Sequence, residues 1–347
     1  MHFIQNRILD RLRLHLLFYS LNDRYLRNSD FQCLELRTLP FDLFCLNLQP
    51  GISLPAEAFS AYNQFTNSKI SIPTGQKNEG INMLGAIIGD IIGSVHEWTG
   101  TKSKDFPLFV PRSIFTDDTV LTVAVAEWIL TGGDLTGILH AYYDSFPYRG
   151  YGGMFDAWAS ERKRDPYNSF GNGSAMRVSP VGFAFDTIDD VLVWAERSSS
   201  VTHSHPEGIR GAKATAAAIF YARQDRDKKQ IKQLLESQFG YDLSTTLEEI
   251  RPAYSFNETC QGTVPQALTA FLESTSYEDA VRNAVSLGGD ADTLACITGG
   301  IAEAYYGGVP RDLAMKAKQL LAPKLFDVIH RFREQYGLAS KSPTVFD

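Results

Sequence analysis

Residues 287–293 read Leu-Gly-Gly-Asp-Ala-Asp-Thr and run directly into the apolar segment 294–297. Two carboxylates and a hydroxyl thus stand between a pair of glycines and a predicted helix start. The simplest interpretation is that Asp292 or Thr293 caps this helix, because a short side-chain oxygen can accept from the unpaired amides of a first turn. One helix needs one cap, so the remaining oxygen donors require a second explanation.

A similar stretch occurs far upstream, where residues 115–119 read Phe-Thr-Asp-Asp-Thr and precede the apolar run 120–126. Both clusters offer hard oxygen donors, which bind magnesium, manganese or calcium in preference to zinc. We infer one site built from two distant helix starts. The carboxylates can neutralise more than one dication, which predicts a two-metal arrangement.

Composition narrows the class of protein. The 347 residues are 44% hydrophobic and 21% charged, as expected for a globular chain with a large core. A net charge of −7 argues against nucleic acid as a main partner. The four cysteines show no ligand spacing, which disfavours a disulfide framework or zinc knuckle and favours a reducing, cytoplasmic location. No apolar run reaches the length of a membrane span.

Residues 1–82 differ from the rest of the chain. Leucine, phenylalanine and asparagine recur there without a sustained period, and several prolines interrupt the segment. We predict a poorly structured or disordered extension. A stronger hypothesis is that the start is misassigned and that translation begins at Met83.

From Met83 onward, helical periods dominate and no run alternates convincingly as a strand would. Gly85, Gly89 and Gly93 are spaced four apart, which places them on one stripe of a helix where a second helix can approach closely. The run after Thr119 predicts a helix that ends near Thr131, before a glycine pair. Further helices are predicted over 209–222, 264–272, 277–285, 293–306, 310–321 and 324–336. Residues 83–347 are therefore predicted to form a single compact all-α domain.

Two glycine-rich loops, at 147–153 and 168–177, resemble phosphate cradles in which bare amides meet an anion. Tight turns between helices explain them equally simply, since neither matches a nucleotide-binding fingerprint. His203 and His205 could cap the helix that follows, and no third imidazole or thiolate nearby supports a zinc site. Glu97, beside the loop 99–111, is either a general acid or base or a solvated glutamate.

Together these stretches resemble the ADP-ribosylglycohydrolase family, which includes the dinitrogenase reductase-activating glycohydrolase and the ADP-ribosyl-acceptor hydrolases. The resemblance spans Met83 to about Tyr336 and rests on five ordered motifs. The family pattern commonly begins near Met83, which favours the misassigned-start hypothesis. The motifs lie at residues 85–90 with Glu97, 115–119, 171–177, 202–203 and 288–293.

The resemblance implies an orthogonal all-α fold with two Mg²⁺ or Mn²⁺ ions in a central cleft. It implies that Glu97 is a carboxylate on a mobile flap. At position 170 this chain has phenylalanine where some members of the family have tyrosine. It also implies metal ligands at Thr116, Asp117, Asp118, Asp290, Asp292 and Thr293, and contacts to ADP-ribose at Gly150, Gly152, Ser169, Phe170 and His203.

The implied activity is metal-dependent hydrolysis of the glycosidic bond between ADP-ribose and an acceptor. As a hypothesis, Asp118 or Asp292 orients or deprotonates the attacking water, and Glu97 assists at the leaving group. The alternatives are a non-catalytic ADP-ribose-binding module and a two-metal phosphohydrolase. The expected partners are ADP-ribosylated proteins or small molecules, with arginine, serine, an acetyl ester or a nucleic-acid base as acceptor. We expect a monomer and no membrane association.

Overall fold

Helices form the framework of residues 83–224 and 226–336, the part of the chain that this computed structural model describes. The all-α prediction is confirmed, and the prediction for residues 1–82 lies outside the described residues. In chain order the helices are α1 (Leu84–Gly93), α2 (Asp117–Thr131), α3 (Leu135–Ser145), α4 (Gly153–Ser160), α5 (Gly173–Met176), α6 (Ser179–Ala184), α7 (Ile188–Ser200), α8 (Pro206–Ala222), α9 (Lys228–Phe239), α10 (Leu247–Ile250), α11 (Cys260–Leu272), α12 (Tyr277–Val285), α13 (Ala291–Tyr306), α14 (Arg311–Leu320) and α15 (Pro323–Tyr336).

The closest helix pair is α1 and α13, and the glycine stripe is the reason. A Cβ added to Gly89 would lie 2.0 Å from the carbonyl oxygen of Ala295, and one added to Gly85 would lie 2.4 Å from that of Gly299. Glycine costs helix propensity but lets the two backbones touch. The prediction of a close helix contact is confirmed, and it fixes the start of α13 beside the end of α1.

The amino end of α1 is fastened to the same neighbours. The amide of Gly85 donates to Glu303 Oε2 at 2.7 Å, and the Tyr277 hydroxyl donates to the Gly85 carbonyl at 2.7 Å. All ten residues of α1 are buried. A wholly buried helix has no solvent to satisfy its free amides, so a buried carboxylate serves instead.

The end of α2 agrees with its prediction, whereas the start of α13 does not. Helix α2 ends at Gly132 in a left-handed conformation with φ of 66°, as predicted from the glycine pair. Helix α13 begins at Ala291, two residues before the predicted start at Thr293, so neither Asp292 nor Thr293 occupies the cap position. Asp290 occupies the cap position without a side-chain capping bond, and Asp292 and Thr293 lie in the first turn. Asp292 Oδ1 accepts from the first-turn amide of Thr293 at 3.0 Å, and the Thr293 hydroxyl is directed at Asp118.

Helix α8 begins at Pro206, three residues earlier than predicted. Proline is favoured in a first turn because it lacks the amide that would be unpaired there. Nδ1 of His205 accepts from the amide of Glu207 at 3.1 Å, which confirms capping as the role of this histidine. Among the described helices, none has both the length and the apolar character required to traverse a bilayer.

Candidate active site

The two acidic helix starts meet in the structure. Asp117 and Asp118 open α2, while Asp290 and Asp292 stand at the start of α13. The Thr293 hydroxyl donates to Asp118 Oδ2 at 3.4 Å, although the two residues are 175 positions apart in the sequence. The negative charge of Asp290 helps to raise the pKa of both Asp117 and Asp118. The inference that two distant stretches build one site agrees with this geometry.

Asp90, in α1, holds the start of α2 in place. Its Oδ2 accepts from the Thr116 amide at 3.0 Å, from the Thr119 amide at 3.1 Å and from the Thr119 hydroxyl. Its Oδ1 accepts from the Thr116 hydroxyl at 2.7 Å. Burial nevertheless raises the pKa of Asp90 to about 6. Sequence reasoning assigned no role to Asp90; its charge within an otherwise apolar, glycine-striped helix was the available signal.

In the cluster Asp118, Asp290 and Asp292 are buried and Asp117 is partly exposed, and the carboxylates are close enough to repel one another. The pKa values of Asp117, Asp118 and Asp292 all lie well above the usual range, first because of burial and then because of neighbouring carboxylates. Asp118 Oδ1 is buried without any hydrogen-bond partner. A buried acceptor with no donor is costly. The residues present therefore fit a bound cation, which would satisfy this oxygen and offset the charge.

Some of these oxygens are engaged by protein donors. Asp290 Oδ2 accepts from the Asn172 side chain at 2.8 Å, and that amide also donates to the Thr263 hydroxyl at 3.1 Å. The Thr116 hydroxyl donates to Asp90 and accepts from the Asp118 amide, which leaves it one lone pair. No group of three or more His, Cys, Asp or Glu side chains in the described part forms a ready-made metal cage. The metal site stays a prediction.

Glu97 lies in the turn after α1, with its side chain half-buried. Burial raises the pKa of Glu97 to about 7, and the charge of Asp290 adds to the effect. The next residue, Trp98, is 80% exposed and stacks on Phe256 at a centroid distance of 5.3 Å. A carboxyl group with a pKa near neutrality at the edge of an acidic cluster is suited to proton transfer.

The loop that follows Glu97 is tied to the body of the protein. Lys102 Nζ donates to the carbonyls of Tyr254 and Leu287, the latter directly before the glycine pair of the acidic cluster. A Cβ on Gly288 would lie 2.8 Å from the carbonyl oxygen of Gly100. The loop 99–111 therefore packs directly against the turn that leads to α13.

The two predicted glycine contacts differ in their surroundings. Gly150 adopts φ of 91°, and a Cβ there would lie 3.5 Å from Asp117 Oδ1. The preceding carbonyl, of Arg149, accepts from the Asp117 amide at 2.8 Å. Gly152 precedes α4, and a Cβ there would meet nothing within 4 Å. Gly150 thus borders the acidic cluster, while Gly152 faces open space.

The other predicted substrate contacts gather around the loop 171–173. The Ser169 hydroxyl accepts from the Gly171 amide at 3.0 Å. His203 Nε2 would lie 3.1 Å from a Cβ on Gly173, so this nitrogen faces the loop. Phe170 is 46% exposed, and its ring centroid lies 5.4 Å from that of His205. Asn172, within the same loop, reaches Asp290 and so joins this region to the acidic cluster.

Sequence reasoning did not single out three residues that build these surroundings. They are Asp90, which orients the start of α2; Asn172, which bridges to Asp290; and Arg177, which is fully buried behind the loop. All three lie within the motifs at residues 85–90 and 171–177. Their partners are distant in sequence, so only the structure shows which residues they contact.

Comparison with known proteins agrees with the fold and the motifs. A family model described as ADP-ribosylglycohydrolase matches residues 82–342, most of the chain. The protein belongs to the ADP-ribosylglycohydrolase family, and the predicted resemblance is confirmed.

Individual relatives have low sequence identity to this chain, but the alignments cover most of their length. ADP-ribosylhydrolase ARH3 of Mus musculus is 28% identical over 305 residues, covering 65% of this chain and 82% of the relative. The Xenopus tropicalis ARH3 is 26% identical over 301 residues, covering 65% of this chain and 86% of the relative. ADP-ribosylarginine hydrolase Tri1 of Pseudomonas putida (strain GB-1) is 25% identical over 289 residues, covering 71% and 76%.

A solved structure described as an ADP-ribosylglycohydrolase-related protein complex shares the fold. Its TM-score is 0.54 at 23% identity, covering 75% of this chain and 99% of the solved one.

Proposed function

We propose that this protein is a metal-dependent hydrolase that cleaves the glycosidic bond between ADP-ribose and an acceptor. The observation that carries the proposal is the meeting of Asp117 and Asp118 with Asp290 and Asp292 in one largely buried cluster. The relatives named ADP-ribosylhydrolase and ADP-ribosylarginine hydrolase support the substrate class.

The acidic cluster is proposed to hold two Mg²⁺ or Mn²⁺ ions. When bound, such ions supply positive charge and Lewis acidity that lower the pKa of a nearby water. The orphaned Oδ1 of Asp118 and the raised pKa values of the cluster support a cation there. The residues proposed as ligands are Thr116, Asp117, Asp118, Asp290, Asp292 and Thr293.

The substrate's diphosphate needs donors that do not add to its negative charge. The amides of Gly171 and Asn172 already donate to Ser169 and Glu258. Gly150 and Gly173 are therefore the proposed backbone contacts, and His203 Nε2 faces Gly173. Ser169 and the exposed ring of Phe170 lie beside the loop 171–173, where they can meet a sugar or a base. Bare backbone around glycine suits an anion because an added Cβ would block its approach.

Cleavage of an N- or O-glycosidic bond passes through an oxocarbenium-like sugar, which buried carboxylates stabilise. Glu97, with its pKa near 7, can be protonated or ionised at neutral pH, so it can protonate the leaving group or position it. Asp118 or Asp292 orients or deprotonates the attacking water. In this proposal Glu97, at the edge of the cluster, acts as the acid, and Asp118 or Asp292, within the cluster, acts as the base.

The test is release of ADP-ribose, followed by mass spectrometry, from a panel of acceptors that includes ADP-ribosylated serine, arginine, an acetyl ester and a nucleic-acid base. We expect release from at least one substrate with Mg²⁺ or Mn²⁺ and loss of release with chelator. Asp117→Asn and Asp292→Asn should both abolish turnover. Asp242→Asn, an exposed carboxylate in the loop between α9 and α10, is the matched control and should retain native turnover.

Other outcomes would replace the proposal. Tight binding of ADP-ribose with no release from any acceptor would favour a non-catalytic binding module. Release of inorganic phosphate in place of ADP-ribose would favour a two-metal phosphohydrolase. Full activity of either Asp variant in chelator would refute the assignment of the cluster.

A further inference from the structure

Three polar side chains form a chain behind the loop 171–173. Arg177 is fully buried, and its Nη2 donates to the Thr202 hydroxyl at 2.8 Å and to the Ser198 carbonyl at 2.8 Å. The same hydroxyl lies 2.8 Å from Nδ1 of His203. Thr202 is itself fully buried, and His203 is 5% exposed. A buried cation is thus connected, through one hydroxyl, to an imidazole ring at the loop.

Counting donors restricts where the protons along this chain can lie. A guanidinium can only donate, so the Thr202 oxygen must accept from Arg177. The hydroxyl keeps one proton of its own, and Nδ1 of His203 lies at hydrogen-bond distance to receive it. If Nδ1 accepts, the ring proton of a neutral histidine is on Nε2. The competing acceptor for the Thr202 proton is the side chain of Tyr167.

The surroundings of His203 favour a neutral ring with Nε2 turned to the ligand region. Burial and the charge of Arg177 lower the pKa of His203 well below its usual range. Nε2 would lie 3.1 Å from a Cβ on Gly173 and 3.6 Å from one on Gly171. No described residue provides a hydrogen-bond partner for Nε2. Glycine at both positions leaves room for a ligand atom at this nitrogen.

We propose that Arg177 and Thr202 are positioning residues that hold His203 as the Nε2–H tautomer, which donates a hydrogen bond to an anionic oxygen of the ligand. This rests on the proposed function in one respect, because the anion is taken to be the diphosphate of ADP-ribose. The positive charge is kept on Arg177 and the donor is neutral. Binding therefore does not depend on protonation of His203 over the range where an ordinary histidine, with a pKa of about 6.5, titrates.

The first test reads the tautomer directly in ligand-free protein. Histidine labelled with ¹⁵N is observed through long-range couplings by NMR, and the His203 signals are assigned by their loss in His203→Asn. We expect a protonated Nε2 and a bare Nδ1 in the native protein. Thr202→Ser should keep this pattern, while Thr202→Val should move the ring toward Nδ1–H or a mixture. Nδ1–H in the native protein, or no change in Thr202→Val, would overturn the proposal.

The second test measures binding of ADP-ribose by calorimetry. Thr202→Val should weaken affinity roughly ten- to hundredfold, the loss expected for one hydrogen bond to a charged group. Thr202→Ser should stay within a few fold of native. Thr215→Val is the matched control, because Thr215 is also a buried threonine but its hydroxyl has no partner. Native affinity in a folded Thr202→Val variant would overturn the proposal.

Arg177 is tested separately through Arg177→Gln, which offers Thr202 both a donor and an acceptor and should mix the two tautomers. An unchanged tautomer there would remove Arg177 from the proposal. If the native protein fails to bind ADP-ribose, that result counts against the proposed function. The NMR spectrum would still decide how His203 is positioned.

Discussion

Replacing Asp118 with asparagine removes a charge from the most confined part of the acidic cluster. Asp118 is 2% exposed, its Oδ1 has no hydrogen-bond partner, and the charges of Asp90, Asp117 and Asp290 all raise its pKa. Without a cation, a carboxylate in this place destabilises the fold. We therefore expect Asp118→Asn to stabilise the metal-free protein at pH 8, even though it removes a proposed ligand.

Asparagine keeps a polar atom at this position but removes its charge, and the gain is taken to be of the order of one unsatisfied buried group, about 1–3 kcal/mol. For a domain of this size, each kcal/mol moves the melting temperature by about 2–4 °C. The variant should therefore melt roughly 2–12 °C above native in chelator at pH 8. Added cation should reduce this difference in melting temperature. A cation at a hundred times its Kd stabilises the native protein by about 2.7 kcal/mol, and the variant gains less.

The dependence on pH has a definite sign. The folded pKa of Asp118 is raised, so the native protein loses stability as pH rises from the unfolded value of about 3.9 toward the folded value. At pH 4 the group is largely protonated in the fold, and the two proteins should melt at similar temperatures. The difference should grow toward pH 8. This difference in melting temperature measures how much the Asp118 charge destabilises the fold when no cation is bound.

Differential scanning calorimetry in chelator and in excess Mg²⁺, at pH 4, 6 and 8, measures these differences. Asp242→Asn serves as control because Asp242 is exposed and lies in the loop between α9 and α10, outside the acidic cluster. Its melting temperature should follow the native protein under all conditions. Two results would refute the reasoning: a variant that melts below native in chelator at pH 8, or equal stabilisation of both proteins by Mg²⁺.

Three further predictions concern other parts of the structure. Glu97→Gln should lower kcat at least about tenfold with ADP-ribose affinity retained. It should also abolish the fall in rate expected above about pH 7, where the Glu97 carboxyl loses its proton. Unchanged kcat in a pH series would exclude Glu97 as the acid. Gly89→Ala should cost about 2–3 kcal/mol in urea unfolding because its Cβ meets a carbonyl oxygen of α13, while Gly133→Ala stays within about 0.5 kcal/mol. Lys102→Met should speed amide hydrogen exchange in residues 99–111, and equal exchange in this variant and in the surface control Lys163→Met would show that Lys102 does not fasten the loop.

The parts of the fold that the sequence predicts are those fixed by local chemistry. The spacing of Gly85, Gly89 and Gly93 indicated a close helix contact, and the glycine pair after Thr131 indicated a helix end. Both depend on conformational preferences that act within a few residues. The repetition of threonine and aspartate at two helix starts indicated one shared site through the chemistry of these oxygen donors and not through local conformation.

What the sequence could not predict depends on contacts between distant positions. Asp90 accepts from residues 26 and 29 positions away, and Asn172 donates to a carboxylate 118 positions away. Their residue types are equally common in solvated positions, so type alone assigns no role. The start of α13 was predicted two residues late because Asp292 is a favourable cap, whereas packing against Gly93 places it inside the first turn.

The central claim is that the openings of α2 and α13 hold cations together. Its most direct test is anomalous X-ray diffraction from crystals of the native protein grown with Mn²⁺. The account predicts two anomalous peaks between Asp117 and Asp118 on one side and Asp290 and Asp292 on the other, lost in Asp118→Asn or reduced to one. Diffraction that shows manganese only elsewhere on the protein, or none at all at saturating concentration, would contradict it.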